Sequence, residues 1–138
     1  MGYGLEVEMI RLAHEMDLFT TPYAFCEDEA RQMAAAGADV VVAHMGLTTK
    51  GSIGATSALS LEDAPAKVQA LADAARSVNP DVIVLCHGGP ISQPDDAEYV
   101  LRRTEGVNGF YGASSMERLP TEVAIREQME RFKAVRFG

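Results

Sequence analysis

Leu5, Met9, Leu12 and Met16 recur at helical spacing, with Glu6, Glu8, Arg11 and Glu15 between them, and predict an amphipathic helix at the start of the chain. Phe19 to Phe25 reads as a short extended segment interrupted by Pro22. Glu27, Asp28 and Glu29 place acids where a helix N-terminus favours them; Ala30, Met33 and Ala34 continue that helix and Gly37 stops it. Asp39-Val40-Val41-Val42-Ala43 is continuously apolar from its second residue, not alternating, the pattern of a parallel strand buried on both faces. His44 to Leu59 is a long stretch rich in Gly, Ser and Thr, expected to form a mobile lid.

Ser60-Leu61-Glu62-Asp63 has the form of an N-cap with an acid three residues on, and Ala64, Val68, Leu71 and Ala75 carry one face of the helix that follows. Asn79-Pro80 ends it. Val82 to Cys86 is a second continuous strand, turned by His87-Gly88-Gly89-Pro90. Asp95 to Thr104 predicts a helix and Val107 to Tyr111 a weaker strand. Ser114-x-x-Glu117 fits a capping box on a short helix. Pro120 and Thr121 open a last helix with Ile125, Met129 and Phe132 on its apolar side.

The order is a helix, then strand–helix four times, which implies an α/β fold with a parallel sheet and right-handed crossovers. Two architectures fit: a small doubly wound sheet, or half of a (β/α)₈ barrel, which in full needs about 250 residues. The last two strand ends favour the barrel. Gly88-Gly89 follows the penultimate strand and Gly112 to Ser115 the final one, before a short helix. Barrels that bind phosphorylated ligands hold the phosphate there, because glycines let the backbone approach and a helix start offers N–H donors.

Composition bounds the partners. The 138 residues, 47% hydrophobic and 23% charged, suit one globular domain over 1–138. No apolar run approaches the roughly 20 residues of a membrane-spanning helix, and Met1 to Glu6 lacks the character of a signal peptide. A net charge of −8 opposes binding to nucleic acid or an anionic membrane. A small anionic metabolite remains as partner, its charge met locally. Cys26 and Cys86 form no CxxC pair and read as reduced, buried thiols of a cytoplasmic protein.

His44 and His87 each follow an apolar strand directly, where barrels place their chemistry. Together they can serve as acid and base near neutral pH; the plainer alternative is that each orders its neighbouring loops. No cofactor is identified, and a divalent metal has no ligand motif beyond two histidines to support it. Gly88, Gly89, Gly112, Ser114 and Ser115 form the candidate phosphate cradle, against the simpler reading of turn and cap chemistry. Gly46 and Lys50 of the long loop join the binding set, Lys50 as one of three lysines in the chain and able to close over an anion. Tyr23 and Thr20 either line the pocket or pack.

Val42-Ala43-His44-Met45-Gly46-Leu47-Thr48, Gly51-Ser52-Ile53-Gly54-Ala55, Cys86-His87-Gly88-Gly89-Pro90 and the run from Gly109 to Pro120 resemble the phosphoenolpyruvate hydrolase-like TIM-barrel family. That family is also described as TIM-barrel signal transduction proteins, and it is similar to the C-terminal domain of plant tobamovirus-resistance proteins. Met1 to Glu6 looks like the middle of the family pattern, around the fourth helix. The resemblance therefore implies the C-terminal half of a TIM barrel, four parallel βα units preceded by a helix. It implies an enzyme acting on a small phosphorylated or carboxylated metabolite by hydrolysis or lyase-type chemistry. The alternative class is a non-catalytic anion-sensing or signal-transduction module with the same pocket. A half barrel leaves strand edges open, so the chain is expected to self-associate or to pair with the missing N-terminal half.

Overall fold

The computed structural model describes residues 3–47 and 59–136. The element order is α1 (Tyr3–Glu15), β1 (Tyr23–Ala24), α2 (Glu27–Ala35), β2 (Val40–His44), α3 (Ala64–Arg76), β3 (Ile83–His87), α4 (Pro94–Leu101), β4 (Gly109–Phe110) and α5 (Arg118–Lys133). The four strands form one parallel sheet in the order β1-β2-β3-β4. Spatial order equal to chain order is the winding of a TIM barrel, whereas a doubly wound sheet reverses direction at a switch point. The architecture is that of half a TIM barrel, with α1 leading in.

Alternation along the strands divides the sheet's two faces. Val41 and Ala43 of β2, with Val84 and Cys86 of β3, join one apolar core with Met33 and Ala34 of α2 and Val68, Leu71 and Ala75 of α3. Val42, His44, Leu85 and His87 alternate with them and take the opposite face, the one that a closed barrel turns inward. The register pairs His44 directly with His87 at the C-terminal ends of the two central strands.

Several sequence expectations shift. Leu5, Met9, Leu12 and Met16 are exposed, and Ile10 is the residue α1 buries. Ile125, Met129 and Phe132 of α5 are exposed as well. In both helices the apolar period is real, but most of its stripe stays exposed. Helix α4 stops at Leu101, where Arg102 and Arg103 continue as a turn. Residues 114–117 form a turn, not a separate short helix, and Glu117 precedes α5 without a side-chain cap. There the amides of Met116 and Glu117 both donate to the Ala113 carbonyl, so no capping box closes on Ser114. Ser60 does meet Asp63: its hydroxyl donates to the carboxylate at 2.7 Å and accepts from the Asp63 amide at 3.1 Å, one turn ahead of α3.

Cys26 is exposed, contrary to the expectation of a core thiol, because it precedes α2 at the sheet's rim, beyond the buried Ala24. Cys86 is fully buried on the helix side of β3, and burial pushes its thiol up to about 11. Both thiols are free. No helix among the described residues is long and apolar enough to cross a membrane.

Candidate functional site

The loops after β2 and β3 are tied to each other by main-chain bonds. The Met45 amide donates to the His87 carbonyl at 2.8 Å, and the Gly89 amide to the Gly46 carbonyl at 2.7 Å. Gly88 and Gly89 have φ of 75° and 58°, the left-handed region that favours glycine. A Cβ on Gly88 would lie 2.5 Å from the Gly46 oxygen, and one on Gly89 would lie 2.3 Å from the Met45 oxygen. These glycines let one loop lie against the other. Neither is among the residues that line the neighbouring cleft. Gly112 backs onto Met116, whose Cγ would meet an added Cβ at 2.5 Å.

The cleft in front holds about 250 Å³ and is lined by His44, Gly46, Leu47, His87, Ala113, Ser114 and Arg118. Of the residues singled out in the sequence, His44, Gly46, His87 and Ser114 therefore meet at one place. Gly88, Gly89, Gly112 and Ser115 are not among its lining. Lys50, and the part of the expected lid from Thr48 to Ala58, lie outside the described residues.

Among the described residues the cleft's cation is Arg118, which the sequence reading passed over. It begins α5, one helical turn after Ser114, and its guanidinium donates to Glu122 at 2.8 Å. Thr20 packs instead at the other end of the sheet: its amide and hydroxyl donate to Asp39 at 2.8 Å and 3.2 Å. Tyr23 belongs with the histidines. Its ring stacks on His87 at 5.2 Å and meets His44 edge-on at 4.7 Å, while its carbonyl accepts from the Tyr3 hydroxyl at 2.7 Å.

The two histidines are almost wholly buried, 8% and 9% exposed. Their environments assign their protons differently. The Gly46 amide donates to His44 Nδ1 at 3.0 Å, so Nδ1 carries the lone pair and the neutral ring bears its proton on Nε2. His87 Nδ1 lies 2.6 Å from the Tyr111 carbonyl, which can only accept. Here Nδ1 is the donor, and the neutral ring keeps its lone pair on Nε2. Burial, the neighbouring His87 and Lys67 of α3 together push His44 down to about 4, so it stays neutral well into acid. One cleft thus presents a ring N–H donor, a ring nitrogen acceptor and a guanidinium.

Among the described residues no group of three or more His, Cys, Asp or Glu is gathered to hold a metal ion.

The chain is 67% identical to the ToMV susceptible protein tm-1(GCR26) and to the ToMV resistance protein Tm-1(GCR237), both of Solanum lycopersicum, over 135 residues covering 98% of this chain and 18% of each relative. It is 30% identical to the putative transcriptional regulatory protein y4pA of Sinorhizobium fredii, over 98% of this chain and 22% of that protein. The chain thus spans about a fifth of the length of the curated relatives it matches. The profile of one protein family matches residues 1–135, nearly end to end. The chain belongs to the phosphoenolpyruvate hydrolase-like family.

Proposed function

We propose that this half barrel carries the anion-binding and acid–base part of an enzyme site for a small phosphorylated or carboxylated metabolite. The reaction class is hydrolysis or lyase-type cleavage, as in a phosphoenolpyruvate or phosphonopyruvate hydrolase. The observation that carries the reading is the pairing of opposite tautomers beside Arg118 in one cleft. Arg118 and Ser114 hold the anion. His44 donates through Nε2–H to an oxygen that gains charge, as a neutral imidazole can. His87 Nε2 takes the proton that the reaction releases.

The binding set thereby moves from the glycine loops to the residues in front of them. The glycines position the loops, and Ser115 is not among the cleft's lining residues. The stripes on α1 and α5 and the outer strands β1 and β4 suit closure by four further βα units, from a second copy or from the preceding part of a longer chain. A cytoplasmic location fits the two free thiols.

A second reading, a sensing module that binds the anion without converting it, draws support from relatives named for resistance and transcriptional regulation. Screening phosphorylated carboxylates for turnover, beside thermal-shift binding, separates the two. Turnover that is lost in His87→Phe supports the enzyme. Binding of the same compounds with no turnover overturns it in favour of the sensor.

A further inference from the structure

Among the described residues, the two buried histidines stand against a cleft where every other polar side chain, Ser114 and Arg118, can donate. A fully deprotonated, acceptor-only anion satisfies Ser114, Arg118 and His44 Nε2–H. It leaves the lone pair of His87 Nε2 facing an oxygen lone pair. The main-chain partners of both rings prevent the easy remedy of exchanging tautomers. Were His87 to move its proton to Nε2, Nδ1 and the Tyr111 oxygen would oppose each other at 2.6 Å. Were His44 to move its proton to Nδ1, the Gly46 amide would lose its acceptor.

We infer that the cleft selects anions that themselves carry an O–H, so that the ligand accepts from His44, Ser114 and Arg118 and donates to His87. The class is a hydrogenphosphate or a hydroxy-bearing carboxylate, as against sulfate or a plain carboxylate. This rests on the anion-site reading above and adds to it the protonation state of the ligand. A buried acceptor left without a donor costs about 1–3 kcal/mol, which converts to roughly five- to 150-fold in affinity. Sites built to bond a hydroxyl reject the analogue lacking it by such factors or more.

The test measures binding of inorganic phosphate against sulfate, and of glycolate against acetate, to the full chain at neutral pH by calorimetry. Nitrogen-15 NMR of the imidazole rings reads the tautomers directly. At least one hydroxyl-bearing probe should bind about tenfold or more tighter than its partner, and which pair discriminates tells phosphate from hydroxy acid. His44 should show its proton on Nε2 and His87 on Nδ1. His87→Phe should bring the pair to near parity by removing the acceptor. Equal affinity within both pairs overturns the selection while leaving the anion site standing. Binding of none of the four probes overturns both. A His87 ring protonated at Nε2 in the neutral form also overturns it, independently of any variant.

Discussion

The rings of His44 and His87 meet edge to face, their centroids 4.8 Å apart, yet their main-chain partners give them opposite proton placements. The ladder puts the two residues in register, and the loops beyond the ladder decide which nitrogen of each is available. Two chemically identical side chains thereby acquire unlike roles, one a donor and the other an acceptor.

Stability should respond to acid through His44. Its folded pKa of about 4 lies below the ordinary 6.5, so the unfolded chain takes up this proton first as pH falls. The contribution is full above pH 6.5 and is lost on the way down to about 4. Urea denaturation across that range reads it. His44→Asn, whose amide oxygen can still accept from Gly46, should flatten the same window. A pH profile unchanged by the substitution would contradict the assignment.

The glycine loop should be intolerant for structural reasons. Gly88→Ala and Gly89→Ala combine a positive φ with a close approach to main-chain oxygens, and each should cost about 2–4 kcal/mol. Gly46 also has a positive φ, 99°, but none of the described residues lies within 4 Å of an added Cβ. Gly46→Ala should therefore cost only about 1 kcal/mol. Equal losses at all three, measured by denaturant midpoint, would mean that crowding between the loops is not the cause.

Arg118→Gln should weaken phosphate binding about 10- to 100-fold, the range for losing a charge-assisted hydrogen bond. Arg102→Gln, at a side chain 74% exposed on the end of α4, should change it little. Because Arg118 also pairs with Glu122, the melting temperature of each variant is measured alongside. A comparable loss of affinity in both variants would point to net charge, not to the cleft.

The exposed stripes predict association. Leu5, Met9 and Met16 on α1 and Ile125, Met129 and Phe132 on α5 are each more than half exposed. Sedimentation at micromolar concentration should find a species larger than the monomer, and Met9→Glu with Met129→Glu should shift it toward the monomer. A cooperative monomer at all concentrations would show that these faces need no cover.

The central strands were legible because β2, buried along its whole length, and β3, buried at Val84, Cys86 and His87, carry the unbroken apolar runs expected of a parallel sheet. The outer strands were faint because β1 and β4 hold only two residues each. On α1 and α5 the period named an apolar face correctly but could not say whether anything covers it. His44 and His87 were readable from their places after strands. Arg118 was not, since the choice of cation followed the loop that holds Lys50. The available signal was spacing: a base four residues after Ser114 returns to the same side of one helical turn. The tautomers were invisible because main-chain atoms of Gly46 and Tyr111 set them, and no side-chain pattern encodes those positions.

Asn108 has a role larger than its exposed place suggests. Its amide nitrogen donates to the Val84 carbonyl at 2.7 Å while its side-chain oxygen accepts from the Val84 amide at 2.9 Å, and Arg76 donates to that same oxygen at 3.1 Å. It works as a clasp where β4 meets β3, three residues before the carbonyl that holds the His87 proton. Were the clasp to release β4, the Tyr111 carbonyl would leave His87, and the ring would lose the acceptor that holds its proton on Nδ1 with neither histidine altered. The proton inventory of the cleft is thus kept, in part, at the far end of the sheet.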